Sequence, residues 1–318
     1  MRSNRVPALA LMLATGLLAG CSKSNHPASP LASDPGATPN DDQAQVTSAI
    51  AASPQAIEDG LADAAFETPL ETTPAGGAGV LSAIQPLNYW RTIVRRDRTF
   101  EFEFGDNDAD GRPTTAIVTI RRRLTGQFNI LVGPPATDLT PPTLERHVIH
   151  KPLEDHWMRR VLLKRVRLAG DGGTPVWRIA AISGVKVTSK DATTNILSLR
   201  VQAAAMDTTF EDPLAFQRLR RVLRFQPDTR VTLTVTTGRN DDVVVLHHRD
   251  HRFRFRNNGD NTYTGVFPTG LRLAGLQHFG VNALSNGTLF DDTAPYDSQS
   301  WIFPYALEPE NLMVEFLP

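Results

Sequence analysis

Apolar positions along the chain change their spacing several times. Residues 6–18 form a short, nearly unbroken apolar run, and residues 22–42 are then almost wholly Ser, Pro, Ala, Asn and Asp. That second stretch has little to bury and reads as a flexible spacer. Helical spacing follows. Ser53-Pro54 offers an N-cap and a proline at the first helical position. Glu58 and Asp59 stand where the helix dipole favours acids, and Ile57, Leu61, Ala64 and Ala65 share one face. A shorter helical pattern, Val46, Ala49 and Ile50, precedes it. Glu67 to Gly79 is rich in Pro, Thr and Gly and reads as a loop. A third helix is predicted through Val80, Leu81, Ile84, Leu87, Trp90, Ile93 and Val94, with a kink or restart at Pro86.

After Arg98 the period becomes two. Phe100, Phe102 and Phe104 alternate with Glu101 and Glu103, which predicts a half-buried strand. Its expected partner is Thr114 to Ile120, with Ala116, Val118 and Ile120 on one face. Strands are also predicted at Gly126–Val132, Arg146–Lys151 and Val176–Val187. Trp157 to Leu168 stays open: Met158, Leu162 and Val166 suit a helix, Val161-Leu162-Leu163 a buried strand. From Asn195 onward every signal is strand. Leu197/Leu199/Val201 and Val231/Leu233/Val235 alternate, Val243 to Leu246 is a buried run, and Phe253 and Phe255 alternate with arginines. Tyr263 and Val266-Phe267 follow a turn at Asn257-Asn258-Gly259-Asp260. His278–Leu284 and Trp301–Leu307 complete the series, with a short basic amphipathic stretch, Phe216–Phe225, expected to cross one edge.

Helices first and then a meander of strands, over residues 43–192, resembles the NTF2-like cone, with a cystatin-like helix on a sheet as the rival. The regular strands of 193–318 resemble an immunoglobulin-like β-sandwich without its paired cysteines. The expected fold class is therefore an α+β domain followed by an all-β sandwich.

The N-terminus changes the picture more than composition does. Arg2 and Arg5 precede the apolar run, which is shorter than the about 20 residues needed to span a bilayer and suits the core of a signal peptide. It ends in Leu18-Ala19-Gly20-Cys21. These residues resemble the bacterial lipobox, and Cys21 is the only cysteine of the chain. The resemblance implies a signal peptide over 1–20 and a lipidated linker over 21–42, with Cys21 carrying a diacylglyceryl thioether and an amide-linked acyl chain such as palmitate. Ser22 after the cysteine implies, in a Gram-negative cell, the outer membrane, on its periplasmic side or at the surface. The lipid bilayer is then one partner. With Cys21 used, disulfides, cysteine zinc sites and thiol catalysis are excluded from the mature part. Loss of residues 1–20 lowers the basic residues from 33 to 31 against 34 acidic ones, so no strong positive field selects nucleic acid.

Asp106, Asp108 and Asp110, in Gly105-Asp-Asn-Asp-Ala-Asp-Gly111, have the alternate-carboxylate spacing of calcium loops. The twelfth position is Ile117 where an EF-hand needs a bidentate Glu, and a polar hairpin loop is the other reading. His147, His150 and His156, and His247, His248 and His251, show no spacing that gathers three zinc ligands on one face; half-exposed strand histidines are expected. The pairs Asp241-Asp242 and Asp291-Asp292 diverge on a strand. Tyr296, Trp301 and Tyr305 are expected to close a sandwich core rather than to stack on sugars. No hydrolase, metalloprotease or phosphate-loop signature is present, so no catalytic residue is assigned. The expectation is an envelope lipoprotein acting as a non-catalytic binding or assembly module for an unknown protein or polysaccharide partner. The alternative is a small-ligand carrier or enzyme using a first-domain pocket lined by Trp90, Trp157 and Trp177 with Asp155.

Overall fold

Alternating side chains build strands much longer than the sequence pattern suggests. In the computed structural model, β1 (Thr68–Pro69) is short, but β2 (Gln85–Phe104), β3 (Thr115–Gly133), β4 (His147–Arg167) and β5 (Pro175–Ser189) pair antiparallel almost end to end. The structure describes residues 39–54, 59–62, 68–69, 84–133, 146–167, 173, 175–204, 206–218, 222–249, 251–270 and 276–307, all within one compact unit, Ser33–Pro318. The stretches read as signal peptide, lipobox and the first part of the spacer lie outside them, as do Ile57, Glu58, Ala64, Ala65 and, of the Glu67–Gly79 stretch read as a loop, all but Thr68–Pro69, which are β1.

The NTF2-like cone is not formed. Among the described residues, the helical content of 43–192 is essentially α1 (Pro39–Ala51), and the rest is a curled antiparallel sheet. The predicted third helix is the first half of β2. Its period was misleading for a physical reason: the pairing with β3 shifts register between Pro86 and Asn88 and between Ile93 and Arg95. Leu87 and Val94 are thus the extra residues of two bulges, and the apolar positions 87, 90, 93 and 94 imitate a helical face. Of the open stretch, Trp157–Arg167 is strand, the second half of β4. The expected partner strand is found: Phe100, Phe102 and Phe104 pair with Ile120, Val118 and Ala116.

The remaining strands are β6 (Ile196–Ala203), β7 (Met206–Phe210), β8 (Phe216–Arg218), β9 (Leu223–Phe225), β10 (Arg230–Thr237), β11 (Val243–His248), β12 (His251–Arg254), β13 (Arg256–Asn257), β14 (Thr262–Pro268), β15 (Leu276–Leu284) and β16 (Ser298–Leu307), with the short helix α2 (Asn286–Phe290) before the last. They do not make a separate immunoglobulin-like unit. β16 pairs with β15 on one side and, through Gln299–Ile302, with β5 on the other. One sheet therefore runs β1-β2-β3-β4-β5-β16-β15-β11-β12 across residue 192, with β8 attached to β5 and β9 to β16. A second sheet, β13-β14-β10-β6-β7, covers one face of its far half.

Three apolar clusters explain this layering. Leu199, Val201, Leu233, Val235 and Phe267 of the small sheet pack on Val244, Leu246, Phe279, Val281 and Phe303. On the other face of the large sheet, Val46 and Ile50 of α1, with Leu61 and Ala62, pack on Ala116, Val118, Ile120, Val161, Val185 and Ile302. The sheet curls until Tyr89, Phe128 and Ile130 share a third cluster with Val243, Val245 and Leu284. β11 and most of β15 and β16 are thus covered on both faces, which is why they are buried almost continuously.

Candidate functional site

The inner face of the curled sheet carries charge as well as apolar surface. Along β4 the inward series is Leu153, Asp155, Trp157, Arg159 and Val161, all buried. Strand alternation fixes this: Asp155 and Arg159 share a face with the tryptophan between them. Opposite them β2 contributes Arg91, β3 Arg122, β11 His247, β15 His278 and Asn282, and β16 Ser298 and Ser300.

Arg91 Nη1 donates to Asp155 Oδ2 at 3.2 Å, and Nη2 to the carbonyl of Leu61 at 3.3 Å. The Tyr296 hydroxyl donates to the same Asp155 oxygen at 3.3 Å and lies 2.7 Å from Ser298 Oγ. Asp155 Oδ1 has no hydrogen-bond partner. Burial pushes the Asp155 carboxyl above its ordinary pKa, and Arg91 and Tyr296 offset only part of this. Burial, with Asp155 beside it, also pushes the Tyr296 phenol up.

Residues 59–62 close this interior. Asp59 Oδ1 accepts from the backbone N–H groups of Leu61 (2.8 Å) and Ala62 (2.7 Å), a self-made turn with Gly60 at φ 67°. Oδ2 accepts from Trp157 Nε1 at 2.7 Å. Burial raises the Asp59 pKa, but Arg159 and these N–H donors outweigh it and hold the carboxyl below its usual range. Arg122 lies 4.4 Å above the Trp157 ring. A second carboxylate from the same part of the chain, Asp42 on α1, accepts from Arg112 at 2.5 Å and from Trp177 Nε1 at 3.3 Å.

A small cavity lies at the seam between Leu61-Ala62 and the sheet, with Arg91, His247, Asn282 and Ser300 among its lining. Its volume is about 10 Å³, on the scale of one water molecule. His247 Nε2 and Asn282 Oδ1 have no hydrogen-bond partner. Burial, with Arg252 and Arg91 nearby, holds the His247 imidazole well below its ordinary pKa and therefore neutral at pH 7. His278 Nε2 is also without a partner, and its pKa is lowered to about 4 by burial and Arg159 against the pull of Asp59.

The residues singled out from the sequence are distributed differently. Asp155 and Trp157 reach the interior, while Trp177 packs at the α1 end and Trp90 is only half-buried on the opposite side of β2 from Tyr89 and Arg91. Asp106, Asp108 and Asp110 form the β2–β3 hairpin loop. Asp108 Oδ1 accepts from the N–H groups of Asp110 and Arg112 at 3.0 Å each, its Oδ2 pairs with Arg165, and Asp110 pairs with Arg167 at 3.5 Å. Among the described residues, no group of three or more His, Cys, Asp or Glu is gathered to hold a metal. His147, His150 and His156 are exposed on β4, but His247 and His248 are both buried, on opposite faces, and are not the half-exposed pair expected. His248 Nε2 lies 2.7 Å from the Tyr305 hydroxyl in the sandwich core. Tyr296, Trp301 and Tyr305 are all buried, and Asp242 is buried while Asp241 is exposed.

No family model matches the chain, and no curated protein or solved structure is significantly similar to it.

Arg91, Arg159, Asp59, His278 and Asn282 were not signalled by any motif. The one trace of them is the inclusion of charged residues in phase with apolar ones along β4, which alternation alone reads as ordinary exposed positions.

Proposed function

We propose that the protein is an envelope lipoprotein, anchored through Cys21, whose folded part is a non-catalytic binding or assembly module. The anchor rests on the sequence: the Arg2 and Arg5 region, the apolar run and Leu18-Ala19-Gly20-Cys21. Among the described residues no helix is long and apolar enough to cross a membrane, so a bilayer contact through this part of the chain would need another element. The host membrane, if Gram-negative, is the outer membrane.

The observation that carries the binding reading is the closed interior. Asp59, Asp42 and Asp155 are held as acceptors by Trp157, Arg112, Trp177, Arg91 and Tyr296, an arrangement that orders a scaffold. Among the described residues, the cavity at the Leu61-Ala62 seam is about 10 Å³, far smaller than the roughly 300 Å³ or more of a small-ligand pocket, and this favours the binding module over a carrier or enzyme working through that seam.

Mass spectrometry of the mature N-terminus tests the anchor. Cys21 should be the first residue and carry the lipid, and Cys21→Ser should block processing, because a hydroxyl lacks the nucleophilicity of the thiol. An unmodified Cys21 or cleavage elsewhere overturns it. Crosslinking in intact envelopes followed by pull-down tests the module, and recovery of no protein or polysaccharide overturns that part.

A further inference from the structure

The polar groups at the seam outnumber what the chain's own segment can satisfy there. Trp157 Nε1, Arg91 and the apolar floor at Gly280 and Ile302 are matched by Asp59, the Leu61 carbonyl and the Leu61 side chain. A Cβ on Gly280 would stand 3.4 Å from Leu61 Cδ1 and 3.2 Å from Ile302 Cγ1, so the glycine leaves room for Leu61 to lie close to β15. His247 Nε2 and Asn282 Oδ1, on residues 8% and 3% exposed, line the cavity beside Leu61-Ala62 without partners. Buried polar atoms in a finished core are almost always paired, with protein or with an ordered water, and the space beside these two admits about one water molecule. Residues 59–62 thus fit the carboxylate, carbonyl and apolar positions of this face and offer no hydrogen-bond partner to His247 Nε2 or Asn282 Oδ1.

We infer that the inner face is a peptide-recognition site held shut in cis by Asp59–Ala62, and that its ligand in trans is an acidic-apolar peptide segment of a partner protein. Such a peptide supplies a carboxylate to Trp157 and Arg159, a backbone carbonyl to Arg91, an apolar side chain to the floor at Gly280, and a further N–H or O–H to Asn282 and His247. A fatty acid supplies the first and third but has no backbone carbonyl and no donor for Asn282. The inference rests on reading the fold as a binding module and is independent of the lipid anchor.

The test uses the full-length chain in phosphatidylcholine nanodiscs and, as probe, a fluorescent peptide of residues 56–66. Asp59→Asn with Leu61→Ala weakens the cis occupant, and near-UV circular dichroism verifies that the variant is folded. The folded variant should bind the probe about 10-fold more tightly than the unsubstituted chain, because the competing segment holds the site for less of the time. Adding Trp157→Phe should reverse the gain, and a probe with Asp59→Asn should bind more weakly. Equal binding of a scrambled peptide, displacement of the probe by oleate, or no binding by the folded variant overturns the inference. Should that variant fail to fold, thiol labelling decides. With Leu61→Cys in the otherwise unsubstituted chain, labelling should run about 10-fold or more ahead of Val281→Cys, since local opening needs less free energy than global unfolding. Equal rates would show that the segment leaves only when the whole fold does, and would overturn the inference. Either failure leaves the envelope pull-down free to succeed.

Discussion

Lys151 Nζ lies 2.6 Å from the carbonyl oxygen of Asp291 and 3.1 Å from that of Gly287. An inward lysine on β4 thereby caps the C-terminal end of α2, whose other end is held by Ser285 Oγ accepting from the N–H of Thr288 at 3.1 Å. Lys151 is 3% exposed, and burial lowers its pKa against the pull of Asp291 and Asp292. Lys151→Met keeps the stem and removes the donors. It should destabilise the fold by about 1–3 kcal/mol, measured as a shift of the urea midpoint without a change in slope.

The buried pair Arg91–Asp155 predicts a non-additive result. Arg91→Leu alone leaves Asp155 in the interior without its cation and should cost about 3–5 kcal/mol. Arg91→Leu with Asp155→Leu removes both charges and should cost less than the single change. A double-mutant cycle by chemical denaturation reads this directly, and a double variant less stable than Arg91→Leu would refute it.

Asp242 gives a pH signature. Burial, with Asp241 and Asp297 adding repulsion, raises its pKa from 3.8 to about 6. The folded state therefore binds more protons than the unfolded chain between these values. The Asp242 contribution to stability is most favourable below pH 4, falls as pH rises to about 6, and stays low above that. Asp242→Asn removes this loss. The variant should be more stable than the unsubstituted chain at pH 7.5, by about 2–3 kcal/mol, with the difference vanishing near pH 4. Paired thermal melts across pH 4–8 check it.

Gly126 marks the second bulge of β2. A Cβ there would stand 1.9 Å from the carbonyl oxygen of Thr92 and 2.9 Å from its carbon, both backbone atoms that cannot rotate away. Gly126→Ala should cost roughly 2–3 kcal/mol. Hydrogen exchange should show faster amide exchange across Thr92–Arg95 and its β3 partners than in the unsubstituted chain.

What the sequence made legible was the half-buried alternation. Phe100/Phe102/Phe104 and Val231/Leu233/Val235 face one core each, so a period of two survives in their residues. Two kinds of feature were hidden. The bulges at Leu87 and Val94 each add one residue, shift the alternation by a step and create a false helical period; nothing local distinguishes this from an amphipathic turn. The site was hidden by the opposite effect. Asp155 and Arg159 keep a regular alternation, but their burial depends on Arg91 and on residues 59–62, dozens of positions away. Likewise, the single sheet through β5, β16 and β15 depends on a pairing between Ile302 and Val185. Strand signals give the existence of such elements and say nothing of which edge meets which.

That pairing also sets an order of events. β16 is the last described strand in sequence and a central one in space. Until it arrives, β5 lacks its partner on that edge and β15 is paired only with β11. A chain emerging from its N-terminus can form the hairpins of β2 to β5 early, from local contacts, yet cannot make the run β5-β16-β15 continuous before Ser298–Leu307 is free. Folding of this topology is dominated by long-range closure and should be slow relative to its size. The unfinished edges are the surfaces by which intermediates of neighbouring chains would associate, so the yield of native protein depends on how long that last strand is delayed.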